Sequence, residues 1–325
     1  MRKNIAVVAG GFSGEALISY QSGTAIINSI DSEKYDVYLI KITKQNWFYE
    51  DNNMKVFLID RNDFSLTIDN TKILFDGVFI AIHGTPGEDG KIQGYFDMIG
   101  IPYNTCTSIV SSLTFNKNLC KKVVASFGVN TARSLHFYKQ DKIDLLLIKK
   151  ELKFPLFIKP SNGGSSIGMS KVDDAKQLKQ AIKKAFDEDD EILIEEYIKG
   201  IELTCGIIQS KNKMIVFPIT QIVPIGRPFF DYEAKYLDQS NEITPAPVDI
   251  EIENKCKSLS AFLYKKLDCR GICRFDYIYS NDKFYFLEVN TVPGQTNKSI
   301  VPQQALSMGI SQKELCQMSI DDMIN

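Results

Sequence analysis

Short apolar runs alternate with amphipathic stretches along the first hundred residues: "NIAVVAG", "EALISYQSGTAIINSI", "YDVYLIKI", then "GVFIAIHG" ahead of "GKIQGYFDMIG". This is the β-α-β rhythm of a parallel sheet. A second unit begins near "IPYNTCTS". In it "NKNLCKKVVASFG" predicts a helix closed by Gly128, and "FPLFIKP" a strand ended by Pro160. The stretch "DDAKQLKQAIKKAFDEDD" predicts a helix with Asp173 or Asp174 near its N-cap. Beyond it the period becomes that of strands: "EILIEEYI", "IELTCGIIQ", "KMIVFPI" and the late pair "GICRFDYIYS" and "KFYFLEVN". Two α/β units thus precede a third, mixed one. The longest stretch without clear periodicity, residues 225 to 247, combines aromatics with charges and reads as a functional lid.

Composition narrows the class of protein. At 325 residues and 44% hydrophobic, the chain can bury two or three ordinary cores. Its 38 basic and 40 acidic residues nearly cancel, so no long-range attraction to nucleic acid or anionic lipid is expected, and any anion site must be local. No apolar run approaches the roughly twenty residues that cross a bilayer. The opening "MRKNIAVVAGGFSGE" imitates a secretion signal, but its apolar core is about six residues and is broken by two glycines and Glu15. It reads as a first strand. The seven cysteines are odd in number and scattered, Cys269 and Cys273 being the only close pair, and only two histidines could complete a metal site. Reduced thiols in the cytosol are therefore expected, rather than a zinc or disulfide framework.

Two constellations carry chemistry. In "FPLFIKPSNGGSSIGMSKV" a strand delivers Lys159, and the turn after it supplies Gly163, Gly164, Ser165 and Ser166. Several backbone N–H groups can then face one phosphate while the ammonium neutralises it. An ordinary glycine turn is the competing explanation. In "CRFDYIYSNDKFYFLEVNTVPG" two strands are joined by an "SND" turn. Side chains alternate along a strand, so Arg274 shares a face with Asp276, and Glu288 with Asn290. Two carboxylates and an amide oxygen suit a hard cation such as Mg²⁺, which also takes phosphate oxygens and water. A surface ion-paired hairpin is the alternative, but the apolar and aromatic residues around these four disfavour full solvation. Together the two describe ATP held through Mg²⁺ without a P-loop.

At this point the sequence resembles the ATP-grasp enzymes and, within them, the D-alanine:D-alanine ligases. The resemblance runs over nearly the whole chain, through "GGFSGE", "HGTPGEDG", "KPSNGGSSIGMSKV", "FDYEAKY", "RFDY" and "LEVNTVPGQTNKS", in that order. It implies an α/β protein of three domains: an N-terminal parallel α/β substrate domain (1–104), then central (105–194) and C-terminal (195–325) α+β domains enclosing ATP. It further implies that Lys117 and Lys159 reach the phosphates, that Glu195 faces the adenine amino group, that Tyr197 and Ile198 line the base, and that Glu202 holds the ribose. Asp276, Glu288 and Asn290 would bind two Mg²⁺ ions, with Mn²⁺ an admissible substitute. Lys235 of the lid would join in stabilising the transferred phosphoryl group.

For the substrates, the same resemblance implies that Glu15 binds the ammonium of the first D-alanine and that His83 orients it. A hydrogen-bonded link of Glu15, Ser165 and Tyr236 would tie the lid to the N-terminal loop. Arg274 and the Gly294 N–H would stabilise the tetrahedral oxyanion, while Ser299 and Ile300 would receive the second substrate. A cytoplasmic homodimer is also implied. Lys298 and Ala16 depart from residues common in relatives, and Tyr236 favours an amine as second nucleophile over D-lactate. A dinucleotide loop at "GGFSGE" is disfavoured because Gly10, Gly11 and Gly14 lack the G-x-G-x-x-G spacing. Those glycines are expected to let the backbone approach a small substrate.

Overall fold

The computed structural model describes residues 2–164, 167–211, 213–224 and 240–324. Elements are numbered in chain order. Strand β1 (Lys3–Gly10) pairs in parallel with β2 (Tyr35–Ile42) and with β7 (Gly77–Ile80), and helix α1 (Ala16–Ser29) makes the crossover. The run "IAVVA" is apolar at every position because both faces of the sheet are covered. Ile5 and Val7 pack with Ile26 of α1 and with Cys316 and Ile320 of the last helix, α9 (Gln312–Ile324). Ala6 and Val8 face a second cluster that includes Phe64 and Phe96, the latter on α2 (Lys91–Ile99). The sheet then continues away from this parallel core as an antiparallel meander of β3 (Trp47–Glu50), β4 (Val56–Asp60), β5 (Ser65–Ile68) and β6 (Thr71–Ile73). These strands are short and half exposed, so their sequence shows no sustained period.

The second sheet is antiparallel, in the order β11 (Ser170–Val172), β10 (Leu156–Pro160), β12 (Glu191–Glu196), β9 (Ser134–Tyr138). Leu178, Ala181 and Ala185 of α6 (Leu178–Phe186) cover it, packing with Leu156, Ile158, Ile192 and Ile194. Between these strands lies α5 (Leu145–Glu151). The N-cap of α6 is Gln177, a turn later than the expected Asp173 or Asp174. The Asp173 N–H donates to Gln177 Oε1 at 2.8 Å and the Lys176 N–H to Asp174 Oδ1 at 2.7 Å, so the acidic pair builds the preceding turn.

The third sheet runs β16 (Ser240–Ile243), β15 (Thr220–Pro224), β13 (Ile201–Ser210), β17 (Ile272–Ser280), β18 (Lys283–Asn290), β8 (Asn130–Thr131), with β14 (Lys213–Val216) also on β13. Helices α3 (Ser108–Phe115), α4 (Lys117–Ser126) and α7 (Ile250–Lys266) share its core, through Val110, Val124 and Leu263 against Leu203, Phe275 and Tyr277. Packing therefore groups residues 105–131 with the third sheet, and β12 runs across position 194. The expected closure of α4 is observed: Asn116 Oδ1 accepts from the Leu119 N–H, and Gly128 turns left-handed at φ 81°. The "SND" turn holds Asn281 and Asp282 at φ 48° and 59°, left-handed conformations that Asn and Asp tolerate. Part of the stretch expected as a lid is strand β16; residues 225–239 lie outside the described residues.

Candidate active site

The register of β17 and β18 sets the chemistry. Arg274 pairs with Asn290 and Asp276 with Glu288, and a bulge follows at Tyr277. The register puts all four residues on one face of the paired strands, as alternation along them predicted. Arg274 grips Asp276 through Nε at 2.9 Å and Nη2 at 2.7 Å, and the Thr204 hydroxyl donates to Asp276 Oδ1 at 2.5 Å. Neighbours orient the Asn290 amide: its oxygen accepts from Arg274 Nη2 at 2.6 Å and its nitrogen donates to Glu88 Oε1 at 3.3 Å. Burial opposes the charge of Arg274, but Asp276, followed by Glu288, outweighs burial and holds the guanidinium protonated.

Two cavities flank this hairpin. The larger, of about 730 Å³, is lined by Glu15, His83, Glu88, Gly294, Lys298, Ser299 and Ile300 among others. The smaller, of about 250 Å³, is lined by Lys159, Glu195, Tyr197, Ile198, Glu202 and Asp276. Lys117, Gly163, Gly164, Arg274, Glu288 and Ile300 line both. Groups bound on either side would therefore meet at a wall of two cations, one carboxylate and a glycine turn. Tyr197 packs beside Phe157, with ring centroids 5.6 Å apart and the planes tilted by 58°, and the Lys171 ammonium stands 5.2 Å from the Tyr197 ring, so this end combines aromatic surface with a cation.

The ammonium groups have partners the sequence did not reveal. Lys117 Nζ donates to the Gly163 carbonyl at 2.5 Å and lies 3.4 Å from Glu288 Oε2. Lys159 Nζ is 2.7 Å from Glu195 Oε2, while Lys121 holds Glu195 Oε1. Glu195, expected to face adenine, is thus clasped between two lysines at the cavity wall. Burial raises its carboxyl pKa, but Lys121 and Lys159 prevail and bring it down to about 2. Lys121 was missed from sequence, although it sits one turn after Lys117 on the same face of α4.

At the other cavity, the Glu15 carboxylate is pressed between two turns. A Cβ at Gly84 would lie 2.9 Å from Glu15 Oε2, and one at Gly164 2.8 Å from the same oxygen. Only glycine leaves that room. Gly10 and Gly11, in contrast, face their own scaffold: a Cβ would come 2.6 Å from the Ile42 carbonyl or 2.7 Å from Ile82 Cγ2. The expectation that these glycines admit substrate is corrected, since both serve close packing within the first sheet. Ser165, Ser166, Lys235 and Tyr236 lie outside the described residues, and with them the rest of the expected link to Glu15.

His83 spends both ring nitrogens internally, Nδ1 on the Val292 carbonyl at 2.9 Å and Nε2 on the Ser22 hydroxyl at 3.0 Å. A carbonyl only accepts, so Nδ1 carries the proton and Nε2 accepts from serine. Burial lowers its pKa. His83 therefore acts on the pocket by pinning the 292 loop. Glu88, another residue that sequence reading missed, takes the Gly84 N–H at 2.7 Å; burial, then Glu15, pushes its carboxyl up to about 8. Gln304 of α8 (Ile300–Ser307) receives the Gly206 N–H and donates to the Thr204 carbonyl and Thr220 hydroxyl, each at 3.0 Å, which fixes the helix that presents Ile300. Ser299, just ahead of it, bonds to Thr296 at 2.8 Å.

The donor set fits a hard cation: Asp276, Glu288 and Asn290 present two carboxylates and an amide oxygen on one face, beside the Lys117 ammonium. Sheets closing over a carboxylate hairpin and paired lysines define the ATP-grasp class. Solved structures agree. VanG D-Ala:D-Ser ligase from Enterococcus faecalis superposes with a TM-score of 0.88 at 32% identity, over 98% of this chain and 99% of that one. The ATP complex of D-alanine–D-alanine ligase from Bacillus anthracis does so at 0.80 and 28%, over 99% and 97%. Family models described as D-ala D-ala ligase N-terminus and C-terminus match residues 4–106 and 123–321. The D-alanine–D-alanine ligase of Flavobacterium johnsoniae is 44% identical over 319 residues, 98% of each chain. The chain belongs to the D-alanine–D-alanine ligase family. No helix among the described residues is long and apolar enough to cross a membrane.

Glu15→Gln provides a local check. If Glu15 is the partner of the substrate ammonium, losing its charge costs about 1.5–3 kcal/mol, and KM for the first D-alanine is expected to rise roughly ten- to a hundredfold with little change in ATP affinity. Steady-state kinetics with each substrate varied in turn measure this.

Proposed function

We propose that the protein joins two D-alanine molecules into D-alanyl-D-alanine while converting ATP to ADP and phosphate. The observation that carries this reading is the shared wall: Lys117, Arg274 and Glu288 face both the smaller cavity, lined by Tyr197, Ile198 and Glu202, and the polar larger cavity bearing Glu15. ATP occupies the smaller cavity, its base beside Tyr197 and Ile198 and its ribose at Glu202. A carboxylate oxygen of the first D-alanine, anchored through its ammonium at Glu15, attacks the γ-phosphorus; ADP leaves and an acyl phosphate forms. Lys117, Lys159 and, from the lid, Lys235 spread the developing charge. Mg²⁺, held as two ions by Asp276, Glu288 and Asn290, supplies further neutralisation of the phosphates when bound.

The amine of the second D-alanine, received at Ser299 and Ile300, then attacks the acyl carbon and passes its extra proton to solvent. Arg274 and the Gly294 N–H take up the oxyanion before phosphate departs. Fixing three reactants side by side accounts for a large part of the acceleration. The protein works in this reading as a cytoplasmic homodimer, which analytical ultracentrifugation tests.

A second reading, D-serine as the second substrate, draws on the likeness to VanG and on Lys298 at the wall of the larger cavity. Both readings are tested by one experiment. The protein is given ATP, Mg²⁺ and equimolar D-alanine, D-serine and D-lactate, and the products are weighed by mass spectrometry. D-alanyl-D-alanine is expected to predominate; a predominant mixed product would overturn the choice.

A further inference from the structure

All seven cysteines are buried, and among the described residues three of them converge where the segment entering α3 meets the start of β17. The Sγ atoms of Cys106, Cys269 and Cys273 all lie within 4.8 Å of one another. Cys106 and Cys273 approach to 3.5 Å. A disulfide needs about 2.05 Å. Three sulfurs on one Zn²⁺ ion, at about 2.3 Å from the metal, stand roughly 3.8 Å apart. The observed spacing is close to the second arrangement.

The surroundings are built for sulfur. The Arg270 N–H donates to Cys106 Sγ at 3.3 Å, and the Arg270 carbonyl faces the thiols of Cys106 and Cys273 at 3.4 and 3.6 Å. The two segments press together: a Cβ at Gly271, whose φ is +61°, would lie 1.9 Å from the Asn104 carbonyl oxygen. The Tyr264 hydroxyl donates to the Gly271 carbonyl at 2.7 Å and so holds the turn from the other side. Cys269 opens onto a cavity of about 710 Å³, lined also by Asp268 and Arg270, which gives an ion and a water a way in.

The geometry points to a three-thiolate site for one soft d¹⁰ cation, of which Zn²⁺ and Cd²⁺ are the probes, with water from the cavity as a fourth ligand. Thiolate ligands select such ions and reject Mg²⁺, so this site is chemically separate from the carboxylate hairpin. Binding replaces the thiol protons, which pass to water. The ion would staple the segment entering α3 to the start of β17, one residue before Arg274.

Full-length protein, reduced, stripped with a chelator and desalted, is titrated with Cd²⁺ and separately with Zn²⁺. Expected are one tightly bound equivalent, an ultraviolet thiolate-to-cadmium absorption, and a Tm several degrees higher with Zn²⁺, a rise that Cys106→Ala removes. Cys106→Ala and Cys269→Ser should each weaken binding more than tenfold, whereas Cys316→Ala, in the first-sheet core, should retain it. No stoichiometric uptake by the unaltered protein would overturn the proposal, and that measurement needs no variant to fold. So would full binding in both variants, or peptide mapping that shows a Cys106–Cys273 disulfide forming under glutathione disulfide in place of metal uptake.

Discussion

Glu288→Gln is expected to lower turnover by roughly two orders of magnitude or more while leaving the fold intact. Glutamine keeps the volume and hydrogen-bonding capacity of the side chain, but it removes the one carboxylate that faces both cavities. The cost in stability is small by comparison. The contact with Lys117 is 3.4 Å long, and Lys117 keeps its hydrogen bond to the Gly163 carbonyl when the carboxylate is replaced. Steady-state turnover against Mg²⁺ concentration, with thermal melts in parallel, separates the two effects. Near-normal turnover at saturating Mg²⁺ would remove Glu288 from the cation site.

Glu195→Gln is expected to have the largest effect on stability, about 3–5 kcal/mol by denaturant unfolding, because it leaves Lys121 and Lys159 buried together without their shared anion. ATP affinity should fall with it, since Lys159 loses the group that aims it. Lys121→Met leaves Lys159 paired and is expected to cost less. The pH dependence has a definite sign. The Glu195 carboxyl sits at about 2 in the folded protein against an ordinary 4.5, so its contribution is complete above pH 4.5 and disappears as pH falls through 2. The stability gap between the unaltered protein and Glu195→Gln should therefore narrow below about pH 4.5. A gap under 1 kcal/mol at pH 7 would show that the triad contributes little.

Much of the carboxylate hairpin was legible because its logic is local. Alternation along β17 and β18 places Arg274 with Asp276 and Glu288 with Asn290, and an "SND" turn allows little freedom in their pairing. The parallel core of the first sheet was equally plain, since a strand buried on both faces must be apolar throughout. The antiparallel strands β3 to β6 were not, being short and half exposed. The start of α6 was misplaced for a related reason: Asp173 and Asp174 have the chemistry of a helix cap, but Gln177 takes the Asp173 N–H into a turn before the helix begins.

The site residues divide in the same way. Glu15 stands out in sequence as a charge inside a glycine loop, and the structure sets it in the wall of the larger cavity beside Gly164. Gly10 and Gly11 were misread, because a glycine looks the same in sequence whether its missing Cβ makes room for a ligand or for its own scaffold. Glu88 could have been suspected from its place in "HGTPGEDG", but its raised pKa depends on burial beside Glu15, which no motif encodes.

By itself, then, the sequence determined the strand and helix periods, the carboxylate hairpin, the glycine turn after Lys159 and the class of chemistry they permit. Each of these depends on residues a few positions apart or on a single pair of strands. Only the tertiary structure decided that Lys121 clasps Glu195, 74 residues away, and that Cys106 meets Cys273 across 167. Such contacts arise when separate sheets and helices bury their apolar faces together, and the burial that creates them also sets the charge and spacing of the groups they trap.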